Sequence, residues 1–379
     1  MPRKNEKIKH KKNNGNARFR LPEDEQEIIF EYRRIKEECK EQGIDPVSAK
    51  HLWIKSKTSS IFVKNPAYDG EELTPEKVES AIKKIVDRQD IQLIDYTPPK
   101  KSNKQAIKLT ISDSHIGMNP DDNGLFQYEY NQDIYMQSLN KVFASIKKEH
   151  GIHSTFDLML IDDLGDMADG WNGYTTRGGH ELPQNMTNAE VFEICVEGKL
   201  QLIRKIINAN IAKKVILRCV TNDNHAGDFG LIINLAIKRI INQMYDKKII
   251  EVDILTKFLE HRTYGDHCFI LTHGKDKKHM KSGLPLSLND SASRFLNDYI
   301  DHYGINSKYV HVEKGDLHQI GYQKTKRFDY RNFMSFAPPS SWIQHNFGDT
   351  YSGYSIQIVP KNNNEISHTD YFLDYKKKN

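Results

Sequence analysis

The stretch IKLTISDSHIG at residues 107–117 decides the fold of this chain. Its first residues are rich in apolar and β-branched side chains, which predicts a short buried strand. An acid and a histidine, Asp113 and His115, follow two positions apart where the strand gives way to a loop. Ligands with this spacing can reach one metal ion, and Gly117 allows the backbone to turn tightly beside them.

Four further runs have the same construction. Each is an apolar stretch that ends in Asp, Asn or His beside a loop residue: FDLMLIDDLGDMAD (156–169), KVILRCVTNDNH (214–225), CFILTHG (268–274) and KYVHVEKGDLH (308–318). Segments near residues 133–149, 187–209, 229–245 and 288–303 separate the runs and predict helices. Because ligands gather at the carboxyl ends of strands in an open α/β sheet, the five ends predict one shared site.

In this order the five motifs resemble the signature of the calcineurin-like metallophosphoesterases, which is D-x-H, G-D-x-x-[DN], G-N-H-[DE], a lone His and G-H-x-H. The resemblance covers about residues 105–320. It implies an α/β fold of the αββα type, a two-sheet sandwich. Later runs at 333–336, 354–359 and 369–373 would complete the second sheet. The strand-rich tail is also similar to that of the SbcD-like nucleases of phage and bacterial DNA repair.

The resemblance further implies a site for two divalent metal ions. Seven side chains would hold them: Asp113, His115 and His318 the first ion, Asn224, His273 and Asp316 the second, and Asp166 both. Mn²⁺ is the ion expected, with Mg²⁺, Fe²⁺ and Zn²⁺ as alternatives. His225 is not a ligand in such sites. It would be catalytic together with Asp166, because it would face the leaving oxygen.

Two of the motifs depart from the family pattern, at three positions. Asp223 stands where the third motif has Gly, and Ala226 replaces the acid that ends it. Asp316 stands where the fifth motif has its first His. A carboxylate is a harder ligand than imidazole, so Asp316 favours Mn²⁺ or Mg²⁺ over Zn²⁺. The alternative is a decayed site that no longer catalyses.

A Gly-rich, aromatic loop, GWNGYTTRGGHE at residues 170–181, lies between the second and third motifs. Arg177 and His180 would bind substrate phosphate there, and Trp171 and Tyr174 would stack a base. The alternative is a flexible surface loop. A second rigid loop, PPSSW at 338–342, would also fall near the site.

Positive charge is concentrated at the amino terminus. Residues 1–20 carry eight Lys and Arg against one acid, a net of +7, which leaves −3 for residues 21–379 given the overall charge of +4. This composition predicts a basic disordered tail over 1–20 that would gather polyanions through counterion release. A merely solubilising terminus is the alternative.

Residues 21–98 predict a small helical domain. Apolar spacing favours a helix over about 28–39, two short helices around a turn within 49–64, and a further helix from about residue 74. Lysines around the apolar anchors suggest a helix-turn-helix-like module that binds nucleic acid. A helical appendage for packing or self-association is the alternative. A linker at 99–105 then precedes the catalytic domain, 106–379.

The sequence argues against a membrane-spanning protein and against a cysteine-based zinc finger. No apolar run reaches the length of a membrane span, and the four scattered cysteines lack metal-finger spacing. These features predict a cytoplasmic protein with reduced thiols. The resemblance to the SbcD-like nucleases adds a bacterial or phage-infected host cell as one possibility. The favoured function is a two-metal DNA nuclease or exonuclease, with nucleic acid as partner. The alternatives are a small-molecule phosphomonoesterase or cyclic-nucleotide phosphodiesterase, and a non-catalytic DNA-binding protein with a vestigial metal site.

Overall fold

The computed structural model describes residues 96–120 and 124–375, the helical residues Cys39 and Lys40, and the backbone of 51–55 and 60–64. The chain divides into two compact units, 1–72 and 73–379. Within the described ranges, no helix is long and apolar enough to cross a membrane.

In the first unit, two strands form an antiparallel pair. They are β1 (His51–Lys55) and β2 (Ser60–Lys64), with Trp53 opposite Phe62. The two short helices predicted within 49–64 are therefore wrong for these residues. Both segments are only five residues long and rich in β-branched and aromatic side chains, a composition that suits a pleated strand better than a helix. The basic tail, the helix from residue 74 and most of the helix at 28–39 lie outside the described residues.

The larger unit contains a six-stranded sheet. Its strands are β3 (Gln105–Ile111), β4 (Phe156–Asp163), β5 (Ala212–Val220), β6 (Ile250–Leu255), β12 (Gly353–Pro360) and β13 (Ser367–Phe372). The order across the sheet is β13-β12-β3-β4-β5-β6. Strands β3 to β6 are parallel, whereas β12 runs antiparallel to β3. The first three motifs therefore leave this sheet at one edge.

A five-stranded sheet supplies the other two motifs. Its strands are β7 (Glu260–Tyr264), β8 (His267–Thr272), β9 (Tyr309–Lys314), β10 (Gly321–Lys324) and β11 (Asp329–Asn332). The order is β10-β11-β9-β8-β7. Because β8 and β9 are parallel neighbours, the fourth and fifth motifs follow adjacent carboxyl ends.

Four helices connect parallel strands, and a fifth precedes β12. They are α1 (Gln132–His153), α2 (Asn188–Asn208), α3 (Gly227–Met244), α4 (Asp290–His302) and α5 (Ser341–Phe347). The start of α2 is fixed by a capping box, in which Thr187 and Glu190 each accept a backbone N–H of the other. The four helices predicted from the sequence correspond to α1 to α4.

Apolar side chains form three layers of core. One joins α1, α2 and α3 to the outer face of the six-stranded sheet, and another joins α4 to the outer face of the five-stranded sheet. The third lies between the sheets and includes Leu160, Val220, Phe269 and Leu271. The predicted fold class, an αββα sandwich, is confirmed.

A buried ion-pair cluster also joins the two sheets. Nζ of Lys108 lies 3.1 Å from the carboxylate of Asp162 and 2.6 Å from that of Glu313. Arg218 donates two hydrogen bonds to Asp162, one of them 2.6 Å long. Buried charges are costly unless they are paired, so these four residues depend on one another.

The strand predicted at 333–336 is wrong. Strand β11 ends at Asn332, and Ser335 makes only an isolated bridge to Ser352. The backbone N–H of Phe336 instead donates to the carbonyl of Ser112, and that of Ala337 to the carbonyl of Asp113. These donors serve the loop after β3, so they are not available to extend a sheet.

Candidate metal centre

The predicted ligands all lie in loops that follow strands. Asp113 and His115 follow β3, Asp166 follows β4, Asn224 and His225 follow β5, His273 follows β8, and Asp316 and His318 follow β9. Since these strand ends meet at one edge of the sandwich, the structure brings seven of the eight side chains together, and Asn224 precedes one of the seven, His225, in the same loop. This gathering agrees with the general location of ligand sites in α/β folds.

The backbone at five of these positions is left-handed, a conformation that residues with a Cβ rarely adopt. The five are Asp113 (φ 54°), His115 (φ 41°), Asp166 (φ 49°), Asp316 (φ 72°) and His318 (φ 52°). Among the described residues only nine non-glycine positions have positive φ, so more than half of them lie in this site. Strained backbone of this kind concentrates at functional sites, where the surrounding fold holds it in place.

One group of ligand atoms is formed by Asp113, His115 and His318. Nε2 of His115 lies 3.1 Å from Nε2 of His318, and Oδ1 of Asp113 lies 3.3 Å from that same atom of His318. Oδ1 of Asp113 is also 3.9 Å from Nε2 of His115. All three side chains are buried, so two imidazole nitrogens and a carboxylate oxygen converge on one small volume.

A second group is formed by Asp166 and His273, which contact the first group through Asp113. Oδ2 of Asp166 lies 2.9 Å from Nε2 of His273. Burial raises the pKa of the Asp166 carboxyl, but the neighbouring His273 and His225 lower it well below its usual value. Burial lowers the pKa of His273, but Asp166 outweighs it and raises that pKa to about 10.

The donor atoms fit divalent cations. Oδ1 of Asn224 is buried and accepts no hydrogen bond from the described residues, which is costly for a polar atom unless a ligand pairs with it. Oδ1 of Asp113 likewise accepts no hydrogen bond from the described residues and lies near the ring nitrogens of His115 and His318. Its Oδ2 accepts hydrogen bonds from the hydroxyl of Ser112 and the N–H of Asp316. Carboxylate, amide and imidazole donors together suit Mn²⁺, Fe²⁺, Zn²⁺ or Mg²⁺.

Comparison with known proteins gives only distant structural similarity. No family model and no curated protein sequence matches this chain. Among solved structures, the chain is similar to zinc-complexed Vps29 from Entamoeba histolytica, with 11% identity, 72% of this chain and 97% of the other covered, and a TM-score of 0.32. It is also similar to an archaeal phosphodiesterase, with 10% identity, 70% and 99% covered, and a TM-score of 0.33. A predicted phosphoesterase from Streptococcus pneumoniae matches at 10% identity over 70% and 98%, with a TM-score of 0.27. Likeness at this level bears on neither substrate nor reaction.

The order of the strands and the meeting of the five motifs decide the fold. The chain has the two-sheet αββα sandwich that the calcineurin-like resemblance implies, with the five motifs in loops that follow its strands. The resemblance that the sequence predicts is therefore confirmed for the sandwich and for the place of the motifs within it. The link to the SbcD-like branch stays a prediction.

Asp169, behind the candidate ligands, orients two of the histidines. Its Oδ1 lies 2.8 Å from Nδ1 of His115 and 3.1 Å from Nδ1 of His225. Carboxylates in this position fix the tautomer and ring orientation of a metal-ligating histidine. Sequence reasoning gave Asp169 no role, although it is the last residue of the second motif.

His225 lies at the more open side of the site, with about a fifth of its side chain exposed. Its backbone N–H donates to Oδ1 of Asp166 at 2.9 Å, and its ring stands edge-on to that of His115. Burial lowers the pKa of His225, but Asp166 and Asp169 raise it to about 9. Its ring nitrogen also groups with His115 and Asp166, so the geometry suits either a proton donor or a ligand.

Asp223, a departure from the family pattern, has a structural role. It is buried, and its carboxylate accepts from the N–H of Asp166 at 3.2 Å and from the N–H of Gly227 at 2.7 Å. It thus joins the loop that carries Asp166 to the first turn of α3. Burial and the nearby Asp166 raise the pKa of Asp223 to about 8. Its side chain also lies close to Gly165, where an added Cβ would contact that of Asp223 at 3.1 Å.

Asp316, the other departure, lies at the edge of the second group. Its Oδ1 is 3.9 Å from Nε2 of His273, and its Oδ2 is 4.0 Å from Nζ of Lys275. The carboxylate is therefore within reach of an ion held by His273. A histidine at the same position would place a neutral ring beside Lys275 instead.

The Gly-rich loop lies against the third motif. The N–H of Thr176 donates to the carbonyl of His225, and that of Arg177 to the carbonyl of Asn224. Nη1 of Arg177 donates to Oδ1 of Asn222 at 3.0 Å and to the carbonyl of Lys275 at 3.1 Å. Arg177 is thus held at the rim of the site, whereas His180 is exposed farther along the loop.

Of the two aromatic residues predicted to stack a base, Trp171 faces inward. It packs edge-on against Phe229 of α3, with ring centroids 4.7 Å apart. Tyr174 is more exposed and remains accessible to a substrate. The N–H of Ala337, just before the predicted loop at 338–342, donates to the carbonyl of Asp113, and Ser341 and Trp342 already belong to α5.

Proposed function

We propose that this chain is a metal-dependent phosphoesterase that hydrolyses phosphodiester bonds in nucleic acid. The observation that carries the proposal is the convergence of buried Asp and His side chains, several of them on left-handed backbone, at one edge of the sandwich. Left-handed backbone and buried polar atoms without hydrogen-bond partners both concentrate at functional sites.

Seven residues would hold two cations. Asp113, His115 and His318 would hold one, Asn224, His273 and Asp316 the other, and Asp166 both. Divalent cations held by such side chains neutralise charge on phosphoryl oxygens and activate water for attack. We propose Mn²⁺ as the natural ion, because two carboxylates and an amide accompany the histidines of this set.

The remaining chemistry falls to side chains of the chain. Water attacks phosphorus, the bond from phosphorus to the leaving oxygen breaks, and the leaving alcohol needs a proton. His225 is in position to supply it, since Asp169 fixes its Nδ1 and directs Nε2 away from that contact. Arg177, held at the rim, would orient a phosphate oxygen of the substrate.

The test is metal-dependent hydrolysis of bis(p-nitrophenyl) phosphate by the wild type and by Asp166→Asn. We expect activity with Mn²⁺ in the wild type and loss of most of it in the variant, because the amide removes the shared negative charge. Asp298→Asn, on the exposed face of α4, is the matched control and should behave as wild type. Wild-type activity retained by Asp166→Asn would contradict the assignment.

The alternative activities use the same site. A phosphomonoesterase would prefer p-nitrophenyl phosphate to the diester, and a cyclic-nucleotide phosphodiesterase would prefer a cyclic mononucleotide to an oligonucleotide. A binding protein with a vestigial site would hydrolyse none of these. The same assay with each substrate separates the four functions.

A further inference from the structure

A loop rich in lysine begins directly after His273. Residues 275–281, here called the basic loop, contain four lysines and a single acid, Asp276. The loop is closed at its base, because the N–H of Leu284 donates to the carbonyl of Gly274 at 2.8 Å. The ring of His279 stacks on Phe258 with centroids 5.2 Å apart. The basic loop therefore has a fixed shape.

Asp276 is turned inward. It is buried, and its carboxylate accepts from the N–H of Lys278 at 3.0 Å and lies 3.1 Å from Nδ1 of His279. Nη1 of Arg177 lies 3.7 Å from the same carboxylate. The one negative charge of the loop is thus directed into the protein, whereas Lys277, Lys278 and Lys281 are exposed. The exposed residues of the loop therefore include three lysines and no acid.

The basic loop lies at the rim of the candidate metal centre. Nζ of Lys275, its first residue, is 4.0 Å from Oδ2 of Asp316. The carbonyl of Lys275 accepts a hydrogen bond from Arg177, which also anchors the Gly-rich loop. A nucleic-acid backbone that crosses the centre next to Asp316 would therefore pass beside Lys275 and the lysines that follow it in the basic loop.

We propose that the basic loop binds phosphates adjacent to the cleaved bond, so that the substrate of this centre is a polynucleotide. This inference rests on the proposed function. Lysines that neutralise backbone phosphates release condensed counterions, and the gain in affinity depends on several phosphates in series. A mononucleotide or a small diester has no adjacent phosphates to offer, so the lysines would add little to its binding.

The chain contains a matched control for this loop. The tripeptide Asp-Lys-Lys occurs at 276–278 and again at 246–248. In both turns the acid accepts from the N–H two residues later, from Lys278 at 3.0 Å and from Lys248 at 2.7 Å. Lys247 and Lys248 are exposed between α3 and β6, at the amino ends of the strands and away from the ligands.

The experiment compares Lys277→Gln/Lys278→Gln with Lys247→Gln/Lys248→Gln in the full chain. Binding of a labelled single-stranded oligonucleotide, as DNA and as RNA, is measured in EDTA over a range of salt concentrations. We expect the first variant to bind on the order of tenfold more weakly at low salt, with a salt slope reduced by about 1.4 for two lost phosphate contacts. The second variant should match the wild type.

Hydrolysis gives the second readout. With Mn²⁺, the basic-loop variant should lose several times more kcat/KM on the oligonucleotide than on bis(p-nitrophenyl) phosphate. Equal oligonucleotide binding by the two variants, or equal losses on both substrates, would overturn the inference. If the wild type hydrolyses neither substrate, the proposed function fails, while the binding measurement in EDTA still decides the role of the loop.

Discussion

The carboxylate of Asp169 lies 3.1 Å from Nδ1 of His225, so the acid that ends the second motif fixes the histidine of the third. The same oxygen holds His115 on its other side. One buried carboxylate therefore orients both a candidate ligand and the candidate proton donor. Its pKa is lowered because His115 and His225 outweigh the effect of burial.

Replacing Asp169 should disturb both histidines together. For Asp169→Asn we expect a loss of about 10–100-fold in activity or metal affinity, the usual cost of removing a carboxylate behind a metal-ligating histidine. The rate of bis(p-nitrophenyl) phosphate hydrolysis, measured across a Mn²⁺ titration, gives both the activity and the metal affinity. Asp298→Asn again serves as the control, and unchanged activity in Asp169→Asn would show that the hydrogen bonds are not needed.

Replacing His225 distinguishes a role as proton donor from a role as metal ligand. General acid catalysis is worth about 10²–10⁴-fold, so His225→Ala should lose about that much on DNA, whose leaving alkoxide is strongly basic. A p-nitrophenyl ester leaves without a proton and should lose much less. Bound metal, measured by mass spectrometry of the purified protein, should not change. Loss of metal together with activity would make His225 a ligand, in keeping with its position beside His115 and Asp166.

Asp316 should set the choice of metal. Asp316→His restores the family pattern and exchanges a hard carboxylate for a softer imidazole, so the preference should move from Mn²⁺ towards Zn²⁺ while some activity remains. The ratio of rates with the two ions, in the wild type and the variant, checks this. An unchanged ratio and an unchanged rate would mean that Asp316 binds no metal, despite its distance of 3.9 Å from His273.

The ion-pair cluster between the sheets predicts how stability depends on pH. Burial raises the pKa of Asp162, but Arg218 and Lys108 outweigh it and the net shift is downward. An acid with a lowered folded pKa stabilises the fold above its unfolded pKa of about 3.9. That contribution is lost as the pH falls through the folded pKa. Urea unfolding from neutral pH to about pH 3 should therefore show a steep decline in the free energy of unfolding.

Asp162→Asn tests the same cluster at neutral pH. The variant leaves Lys108 and Arg218 with less negative charge beside them, so its free energy of unfolding should be lower by about 3–5 kcal/mol. That free energy should also fall less steeply as the pH is lowered. Asp298→Asn should change neither quantity by more than about 0.5 kcal/mol. An acid decline in Asp162→Asn as steep as in the wild type would contradict the assignment of that decline to Asp162.

The sequence predicted the strands that carry ligands better than the edge strands. Strands β3, β4, β5, β8 and β9 are apolar runs because both of their faces are covered. Edge strands such as β7 and β10 are short and polar, EHRTY and GYQK, and their apolar content does not distinguish them from loops. In the first unit, the spacing of apolar residues predicts helices over strands β1 and β2. The β-branched and aromatic residues of those segments favour the strands that the structure has.

The ligands of the site could be predicted from local sequence, but the residues that position them could not. Ligand order could be predicted because parallel strands bring their carboxyl ends together. The roles of Asp169 and Asp223 could not, because each depends on a contact with a loop more than 50 residues away in sequence. The basic loop was also missed, since only the structure shows that Asp276 points inward and leaves the lysines alone at the surface.

The most direct test of the two-cation site is the number of Mn²⁺ ions that each chain binds at equilibrium. Dialysis of the full chain against Mn²⁺, followed by elemental analysis, should give two ions for the wild type and at most one for Asp166→Asn, because Asp166 is the shared ligand. A wild-type chain that binds no Mn²⁺, or an Asp166→Asn variant that still binds two, would contradict the account.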